Sequence, residues 1–420
     1  MTDAPTNPFR RSVSGIVLAT LLVMLPVTVG GPGCRSVRPA ANPRIADAGS
    51  RPAPPEFDWP ARISNPPHRD HPDGRIPDHP DGIGVERADG SPITMKFVTM
   101  HPHGEVWAFG EDDAGVNWIA AIDPALIETT RSFIVVTTAP ADEPPSELRV
   151  PRRRAIDAIV LTPTARPPAG TAIVMSSLAR QTPPEQAFMA DLLSAGFTVV
   201  TSAPPVSAID ERTGGRTTLD IANAPKTAGR MFAAEVDLAF AAWADGLDAI
   251  LDASVIERKM IPRPMVLIGV SSGAVAAPSV AARLHAKTPI DAAVLIAGGA
   301  DLDTILLETT LAPEDLRLRR RGPRPDAAAA ETFRRAYRDS VRLDDPGLTR
   351  WFARRPILLL EGGFDTAIPA TARAAMDDRL GRPERWWYPT GHYGLFVLLP
   401  GEGDAIVRWI RRALGIEPPC

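Results

Sequence analysis

The chain of 420 residues is long enough for one large catalytic domain with additions, or for two domains of average size. Its net charge of −4 excludes the basic surplus that nucleic-acid binding requires. Two cysteines, Cys34 and Cys420, stand near opposite ends of the chain, so a disulfide framework is excluded as the basis of the fold.

Residues 1–34 have the pattern of an export segment. Arg10 and Arg11 precede an apolar run from Ser14 to Val29, and small residues then lead to Cys34. A positive start and a short apolar run are typical of a secretory signal, whereas a membrane span takes about 20 residues. Cys34 stands where bacterial lipoprotein signals, which this segment resembles, carry a lipidated cysteine. We expect an exported protein of the bacterial envelope that is lipidated at Cys34, released to the periplasm, or held by an uncleaved anchor.

Residues 35–84 are predicted to form an extended tether. Eleven prolines fall between Pro39 and Pro80, and hydrophobic periodicity is absent, so the segment buries too little apolar surface to offset its ordering entropy. His68, His71 and His79 lie beside aspartates and present a metal-binding alternative. A solvated linker is favoured, because prolines and glycines do not hold ligands rigidly. No metal site is therefore predicted.

Residues 85–129 are predicted to form a small β extension. A turn-rich segment at 111–115 lies between two partly alternating apolar segments, which favours a hairpin. His101 and His103 flank a proline, and we interpret them as loop residues.

Residues 130–420 are predicted to form one α/β domain. Short β-rich runs occur at Ser132–Thr138, Ala155–Leu161, Thr171–Met175, Phe197–Thr201, Met265–Val270, Ala292–Ala297, Ile357–Leu360 and Arg385–Tyr388. Helical patterns lie between or after them, at Pro184–Ala195, Ala228–Leu251, Ala370–Leu380 and Asp404–Leu414. Several of the β-rich runs are apolar nearly throughout, which is typical of strands buried on both faces. The order predicts a mostly parallel sheet that is covered by helices on both faces.

The segment at about 301–355 is too long for a simple connection between two strands. It contains an arginine-rich patch and a predicted helix from Ala327 to Val341, which Asp326 is placed to cap. Long insertions in compact domains are often lids or binding elements. We predict a helical cap insertion; a surface helix with solvated arginines is the alternative.

Ser271 is the candidate nucleophile. It lies in Gly269-Val270-Ser271-Ser272-Gly273, between a predicted buried strand and an alanine-rich helix. A serine on such a strand-to-helix turn needs small neighbours, and the turn lifts its hydroxyl clear of the sheet. Pro278 is expected to bend the following helix, because it removes a hydrogen bond to Ala274.

His392 is the candidate base. After residue 150 the only histidines are His285 and His392, and His285 lies fourteen residues along the predicted helix, about 21 Å from Ser271. His392 follows the last predicted strand, in a predicted loop. Its carboxylate partner is either Asp365 or Asp301, each of which follows a strand, and Asp365 is preferred because it lies on the strand before that of the histidine.

The oxyanion of an acyl-transfer reaction would accept hydrogen bonds from two backbone N–H groups. We expect one from Ser272 at the helix start, and another from Ser177 or Leu178 in the loop after the predicted strand at Thr171–Met175.

These motifs resemble the α/β-hydrolase superfamily over about residues 148–414. The likeness rests on the turn at Ser271, on the segment Phe364–Pro369 and on Gly391-His392-Tyr393. The segment Gly381–Tyr388 looks like the dienelactone-hydrolase and acetyl-xylan-esterase branch. The resemblance implies an eight-stranded sheet and a Ser-His-Asp hydrolase without a cofactor. The usual His-Gly after the third strand is Ser176-Ser177 here, which leaves the second oxyanion donor open.

The predicted function is hydrolysis of a carboxylic ester, carried by a small molecule or a glycan, through an acyl-enzyme on Ser271. Peptidase or acyltransferase chemistry on the same three residues is the first alternative. A non-catalytic envelope protein that uses the fold as a docking surface is the second. The predicted partners are the substrate and, through the N-terminus, the membrane.

Overall fold

The computed structural model describes residues 53–55, 83–86, 92–101, 104–109, 122–138, 153–165, 167–179, 181–207, 217–258, 262–285, 287–311, 318–320 and 323–416. The predicted export segment with Cys34 lies outside these residues, as do the tether histidines His68, His71 and His79, the loop residue His103 and the turn-rich segment 111–115. Every helix within the described ranges is too short or not apolar enough to cross a bilayer.

One twelve-stranded sheet forms the centre of the molecule in the described part of the chain. Its strands are β1 (Ile83–Glu86), β2 (Pro92–His101), β3 (Gly104–Phe109), β4 (Ile127–Thr138), β5 (Arg153–Pro163), β6 (Gly170–Met175), β7 (Phe197–Ser202), β8 (Val206–Ser207), β10 (Met265–Val270), β11 (Ala292–Ile296), β13 (Ile357–Gly362) and β14 (Glu384–Tyr388). A separate pair joins β9 (Thr217–Leu219) to β12 (Leu318–Arg320).

The strand order is β1-β2-β3-β4-β5-β7-β6-β10-β11-β13-β14, and β8 pairs with β5. From β7 to β14 all neighbours are parallel, whereas β5 is antiparallel to both β4 and β7. The eight strands from β4 to β14 on this path correspond to the eight predicted strands, and the exchange of β6 and β7 is the one crossing in their order. This is the strand order of the α/β-hydrolase fold, so the predicted fold class is confirmed.

Helices cover both faces of the sheet. They are α1 (Pro183–Ser194), α2 (Pro225–Arg258), α3 (Ser272–Leu284), α4 (Leu302–Glu308), α5 (Ala327–Arg338), α6 (Pro346–Phe352), α7 (Ala370–Arg379) and α8 (His392–Ala413). Alternate residues of the parallel strands enter two apolar clusters, one shared with α1 and α8 and the other with the remaining helices. Strands that are apolar throughout can supply both clusters because successive side chains point to opposite faces.

The predicted start of the last helix needs correction. The last helix was expected from Asp404, but α8 begins at His392 and continues past Pro400, so His392 lies in the first turn of a helix and not in a loop. The tertiary contacts of Leu395 and Leu399 with the core stabilise the early turns despite poor helix formers. Helix α3 runs through Pro278 to Leu284, and the bend expected at that proline stays a prediction.

The β extension joins the main sheet. Strands β2 and β3 pair in antiparallel orientation, and β3 pairs with β4, so both strands continue the sheet at its edge. Both strands precede the turn-rich segment 111–115, at which the hairpin was predicted and which lies outside the described residues. His101, predicted to be a loop residue, is instead the last residue of β2.

The described helices of the 301–355 insertion are α4, α5 and α6, and they pack against α2, α3 and α7. Asp326 caps α5 by accepting a hydrogen bond of 2.7 Å from the Ala329 N–H, which confirms the predicted start of that helix. Phe333 and Tyr337 of α5 stack on Phe232 of α2, with ring centroids 6.0 and 5.0 Å apart. A capping role for this insertion stays a prediction.

Candidate active site

Ser271 lies on a strained turn between β10 and α3. Its φ of 52° and ψ of −110° are a backbone conformation that non-glycine residues rarely adopt. Such strain persists only where the surroundings impose it. Here the Ser271 N–H donates to the Ile296 carbonyl of the neighbouring strand over 2.8 Å, which secures the turn at the carboxyl edge of the sheet.

The two glycines of the motif are required by close backbone approach. A Cβ atom on Gly269 would lie 2.5 Å from the Ala274 Cα, and one on Gly273 would overlap the Met175 carbonyl oxygen. Any larger residue would therefore push α3 away from β10 or from β6. The spacing Gly-x-Ser-x-Gly thus follows from the sharpness of the turn.

His392 connects Ser271 to Asp365. The His392 Nε2 lies 3.1 Å from the Ser271 Oγ, and its Nδ1 lies 2.8 Å from the Asp365 Oδ2. All three residues are buried, with 6%, 7% and 3% of Ser271, His392 and Asp365 exposed. Since a carboxylate only accepts hydrogen bonds, Nδ1 carries the proton and Nε2 is left to accept the serine proton.

The carboxylate of Asp365 is held from both sides. Its Oδ1 accepts backbone N–H bonds from Ala367 and Ile368, each 2.9 Å long, in the loop between β13 and α7. These bonds orient Oδ2 toward His392. The arrangement is the geometry in which an acid holds a histidine in one tautomer.

The two rejected alternatives lie in other environments. Asp301 has a left-handed backbone, with φ of 62°, and its Oδ1 lies 2.5 Å from the Arg379 Nη2 in an ion pair. His285 stands at the far end of α3, where its ring packs edge-on against Trp351 at 5.2 Å. Ser271, His392 and Asp365 are thus the residues that the fold brings together.

Two of the three predicted oxyanion donors are compatible with the geometry. Ser272 is the first residue of α3, where backbone N–H groups have no partner within the helix. The loop after β6 touches the same turn, since the Ser272 Oγ donates to the Ser176 carbonyl over 3.4 Å. The Ser177 N–H, however, already donates to the Glu185 Oε1 at 2.8 Å. Leu178 is left as the candidate in this loop.

Glu185 is a functional candidate that the sequence analysis did not identify. It is 1% exposed and lies in the first turn of α1. The signal was present, because Thr182 and Glu185 have the spacing of a helix capping box ahead of an apolar run. The pattern indicates a cap but gives no hint of the contact with Ser177, eight residues earlier.

Exposed apolar side chains occur in the segments that carry Asp365 and His392. Among the described residues, five large apolar side chains are exposed, and they belong to the loop after β13, to β14 and to the first turns of α8: Phe364, Trp387, Tyr393, Val397 and Leu398. Phe364 precedes Asp365, and its ring meets Trp387 edge-on at 6.5 Å. The Tyr393 ring meets that of His392 edge-on at 5.8 Å. An apolar surface therefore borders the site on the histidine side.

No protein-family model matches this chain, and no curated protein matches it. Among solved structures, it is similar to acetyl xylan esterase 1 from Thermoanaerobacterium sp. JW/SL YS485, at 15% identity and a TM-score of 0.45 over 76% of this chain and 90% of that one. It is similar to Est1E from Butyrivibrio proteoclasticus, at 13% identity and a TM-score of 0.41 over 62% and 95% of the two chains. The esterase domain of a Rhodothermus marinus protein is similar at 16% identity and a TM-score of 0.38, over 66% and 98%.

The chain's own strand order, together with the position of Ser271 between the central strand β10 and helix α3, supports the fold assignment without those likenesses. By these features the protein has the α/β-hydrolase fold.

Proposed function

We propose that this protein is a serine hydrolase that cleaves a carboxylic ester by acyl transfer to Ser271 and then to water. The observation that carries the proposal is the buried hydrogen-bonded chain from the Ser271 Oγ through His392 to the Asp365 Oδ2. A serine hydroxyl is a weak nucleophile by itself, and an adjacent oriented base activates it.

In the acylation step, the Ser271 Oγ attacks the ester carbonyl carbon while its proton passes to the His392 Nε2. The negative charge that develops on the carbonyl oxygen is stabilised by the N–H groups of Ser272 and Leu178. The imidazolium is stabilised by Asp365, which keeps its own negative charge. His392 then returns the proton to the leaving alkoxide oxygen, the C–O bond breaks, and the acyl group stays on Ser271.

In the deacylation step, the same residues act on water. His392 accepts a proton from the water as its oxygen attacks the acyl carbon, and the bond to the Ser271 Oγ breaks. The serine oxygen recovers a proton from His392, and the carboxylic acid product leaves. The cycle restores every residue to its starting protonation state.

The apolar side chains beside His392 favour an ester with an apolar group. Phe364 is 68% exposed and Tyr393 is 69% exposed, so an apolar part of a substrate would remove both from water. Burial of apolar surface contributes about 25 cal/mol per Å². We therefore expect turnover of esters to increase from acetyl to longer acyl or aromatic groups.

The test combines active-site labelling with a substrate panel. A fluorophosphonate probe should label the unchanged protein at Ser271, and Ser271→Ala should lower ester turnover by about 10⁴- to 10⁶-fold, as the removal of a triad serine does. Ser194→Ala, at an exposed serine of α1, is the matched control and should keep both labelling and turnover. Retention of a tenth of the turnover in Ser271→Ala would place the nucleophile elsewhere. Cleavage of peptides but not of esters would favour the peptidase alternative.

We also propose that residues 1–84 export the protein and tether it to the membrane. The supporting pattern is the apolar run that ends before Cys34, followed by a proline-rich segment. Each residue of the proposed catalytic machinery lies beyond residue 176, so the tether would not take part in the chemistry.

A further inference from the structure

Glu185 accepts four hydrogen bonds inside the domain. Its Oε1 accepts the Ser177 N–H at 2.8 Å, and its Oε2 accepts the Ser177 Oγ–H at 3.3 Å. On the other side, Oε2 accepts the Thr182 N–H at 2.6 Å and the Thr182 Oγ–H at 2.8 Å. A buried carboxylate is costly unless such partners surround it. The side chain thereby ties together Ser177 and Thr182 in the seven-residue loop between β6 and α1.

Two of these bonds exceed what a helix cap needs. The bond from the Thr182 N–H belongs to the capping box of α1, in which the Thr182 side chain accepts in turn from the Glu185 N–H. The bonds from Ser177 serve no helix, because Ser177 lies in the loop, five residues before the N-cap residue Thr182 of α1. They fix the direction of one peptide group in that loop.

That peptide group lies beside the proposed nucleophile. Strand β6 pairs with β10, which ends at Val270 directly before Ser271, and the Ser176 carbonyl accepts from the Ser272 hydroxyl at 3.4 Å. The next N–H after Ser177 belongs to Leu178, and it has no hydrogen-bond partner among the described residues. An unpartnered N–H in the loop that contacts Ser272 is suited to receive negative charge from a substrate.

We propose that Glu185 is a positioning residue for the oxyanion: by holding Ser177, it directs the Leu178 N–H to the oxygen of the tetrahedral intermediate. This inference rests on the proposed ester hydrolysis at Ser271. It replaces the role that Ser177 was predicted to have. The superfamily that this chain resembles carries His-Gly at the position of Ser176-Ser177. In this chain the Glu185 carboxylate orders the loop through its bonds to Ser177.

The test is Glu185→Gln, which preserves the size of the side chain. An amide nitrogen cannot accept from a backbone N–H, so either the Ser177 or the Thr182 N–H loses its acceptor. We expect kcat to fall about 10- to 100-fold with KM nearly unchanged, because a small displacement of an oxyanion donor costs about 10²-fold. The inhibition constant of a trifluoromethyl ketone, which forms a tetrahedral adduct on the serine, should rise by the same factor.

Two further variants separate positioning from helix capping. Thr182→Val removes the capping hydroxyl on the other side of the same carboxylate, and it should lower the melting temperature while kcat changes less than about twofold. Ser177→Ala removes one of the two loop bonds, and it should lower kcat several-fold with an intact fold by circular dichroism. Ser177→Ala remains informative if Glu185→Gln fails to fold.

The outcomes are distinguishable. A parallel loss in kcat and in binding of the trifluoromethyl ketone supports the inference. An unchanged kcat in folded Glu185→Gln, or a loss of kcat without weaker binding of the ketone, overturns this inference and leaves the proposed function standing. Equal losses of kcat in Thr182→Val and Glu185→Gln would show that Glu185 acts only as a helix cap, and would also overturn this inference. Absence of ester turnover and of Ser271 labelling in the unchanged protein would overturn the proposed function and this inference together.

Discussion

Replacement of Asp365 by asparagine tests the acid of the proposed triad with little change in shape. The two backbone N–H groups of Ala367 and Ile368 donate to one carboxylate oxygen, and His392 Nδ1 faces the other. The asparagine carbonyl will occupy the side of the two N–H donors, and its NH₂ group will then face His392. Because an NH₂ group donates, Nδ1 becomes the acceptor and the proton moves to Nε2. In that tautomer Nε2 cannot accept the proton of Ser271.

The size of the effect follows from the two backbone bonds. Turning the asparagine so that His392 keeps its productive tautomer would leave both N–H donors unsatisfied. Each unsatisfied buried donor costs about 1–3 kcal/mol, so the two together cost about 2–6 kcal/mol. At about 1.4 kcal/mol for each factor of ten, the productive tautomer is disfavoured by about 30-fold to 10⁴-fold. We expect kcat for Asp365→Asn to fall within that range.

The assay is hydrolysis of p-nitrophenyl acetate, with circular dichroism to check the fold. The matched control is Asp301→Asn, because Asp301 also follows a strand but pairs with Arg379 in a partly exposed ion pair. Such pairs contribute at most about 1 kcal/mol to stability, so this variant should keep most of its turnover. Retention of more than a tenth of the activity in Asp365→Asn, or a larger loss in Asp301→Asn, would refute the reasoning.

Two predictions concern stability and the N-terminal residues. Burial raises the pKa of Asp344 from 3.8 to about 7, so the folded protein keeps a proton that the unfolded chain loses at lower pH. The contribution of Asp344 to the free energy of unfolding should therefore decline from about pH 4 to pH 7. Asp344→Asn should flatten that decline when the free energy of unfolding is measured by urea titration at several pH values. The asparagine carbonyl can still accept from the Leu302 N–H and the Tyr337 hydroxyl, so the fold should be kept. An unchanged slope would contradict the role of Asp344. A chain that starts at Val85 should fold and keep its ester turnover, whereas the full chain should partition with membranes. Cys34→Ser should release the full chain if Cys34 is lipidated and leave it bound if the apolar run is an anchor; loss of turnover in the folded truncated chain would assign the tether a part in the chemistry.

The sequence by itself determined the main elements of the catalytic domain. Eight β-rich runs became eight strands of one sheet, because apolar residues in unbroken runs are stable only where both faces are covered. The turn at Ser271 was predictable from its two glycines, since a close backbone approach leaves a local pattern. The scarcity of histidines after residue 150 then left His392 as the one that could reach the same edge.

The tertiary structure alone decided which groups meet. Asp365 and Asp301 both follow strands at the same edge of the sheet, and chain order cannot show that one faces His392 while the other faces Arg379. The start of α8 at His392 depends on packing against the core rather than on the propensities of its glycines and proline. The contact between Glu185 and Ser177 is also tertiary, since a capping box indicates only its own helix end. Local patterns report backbone preference and burial, whereas the direction of a hydrogen bond between distant residues is set only when the elements pack.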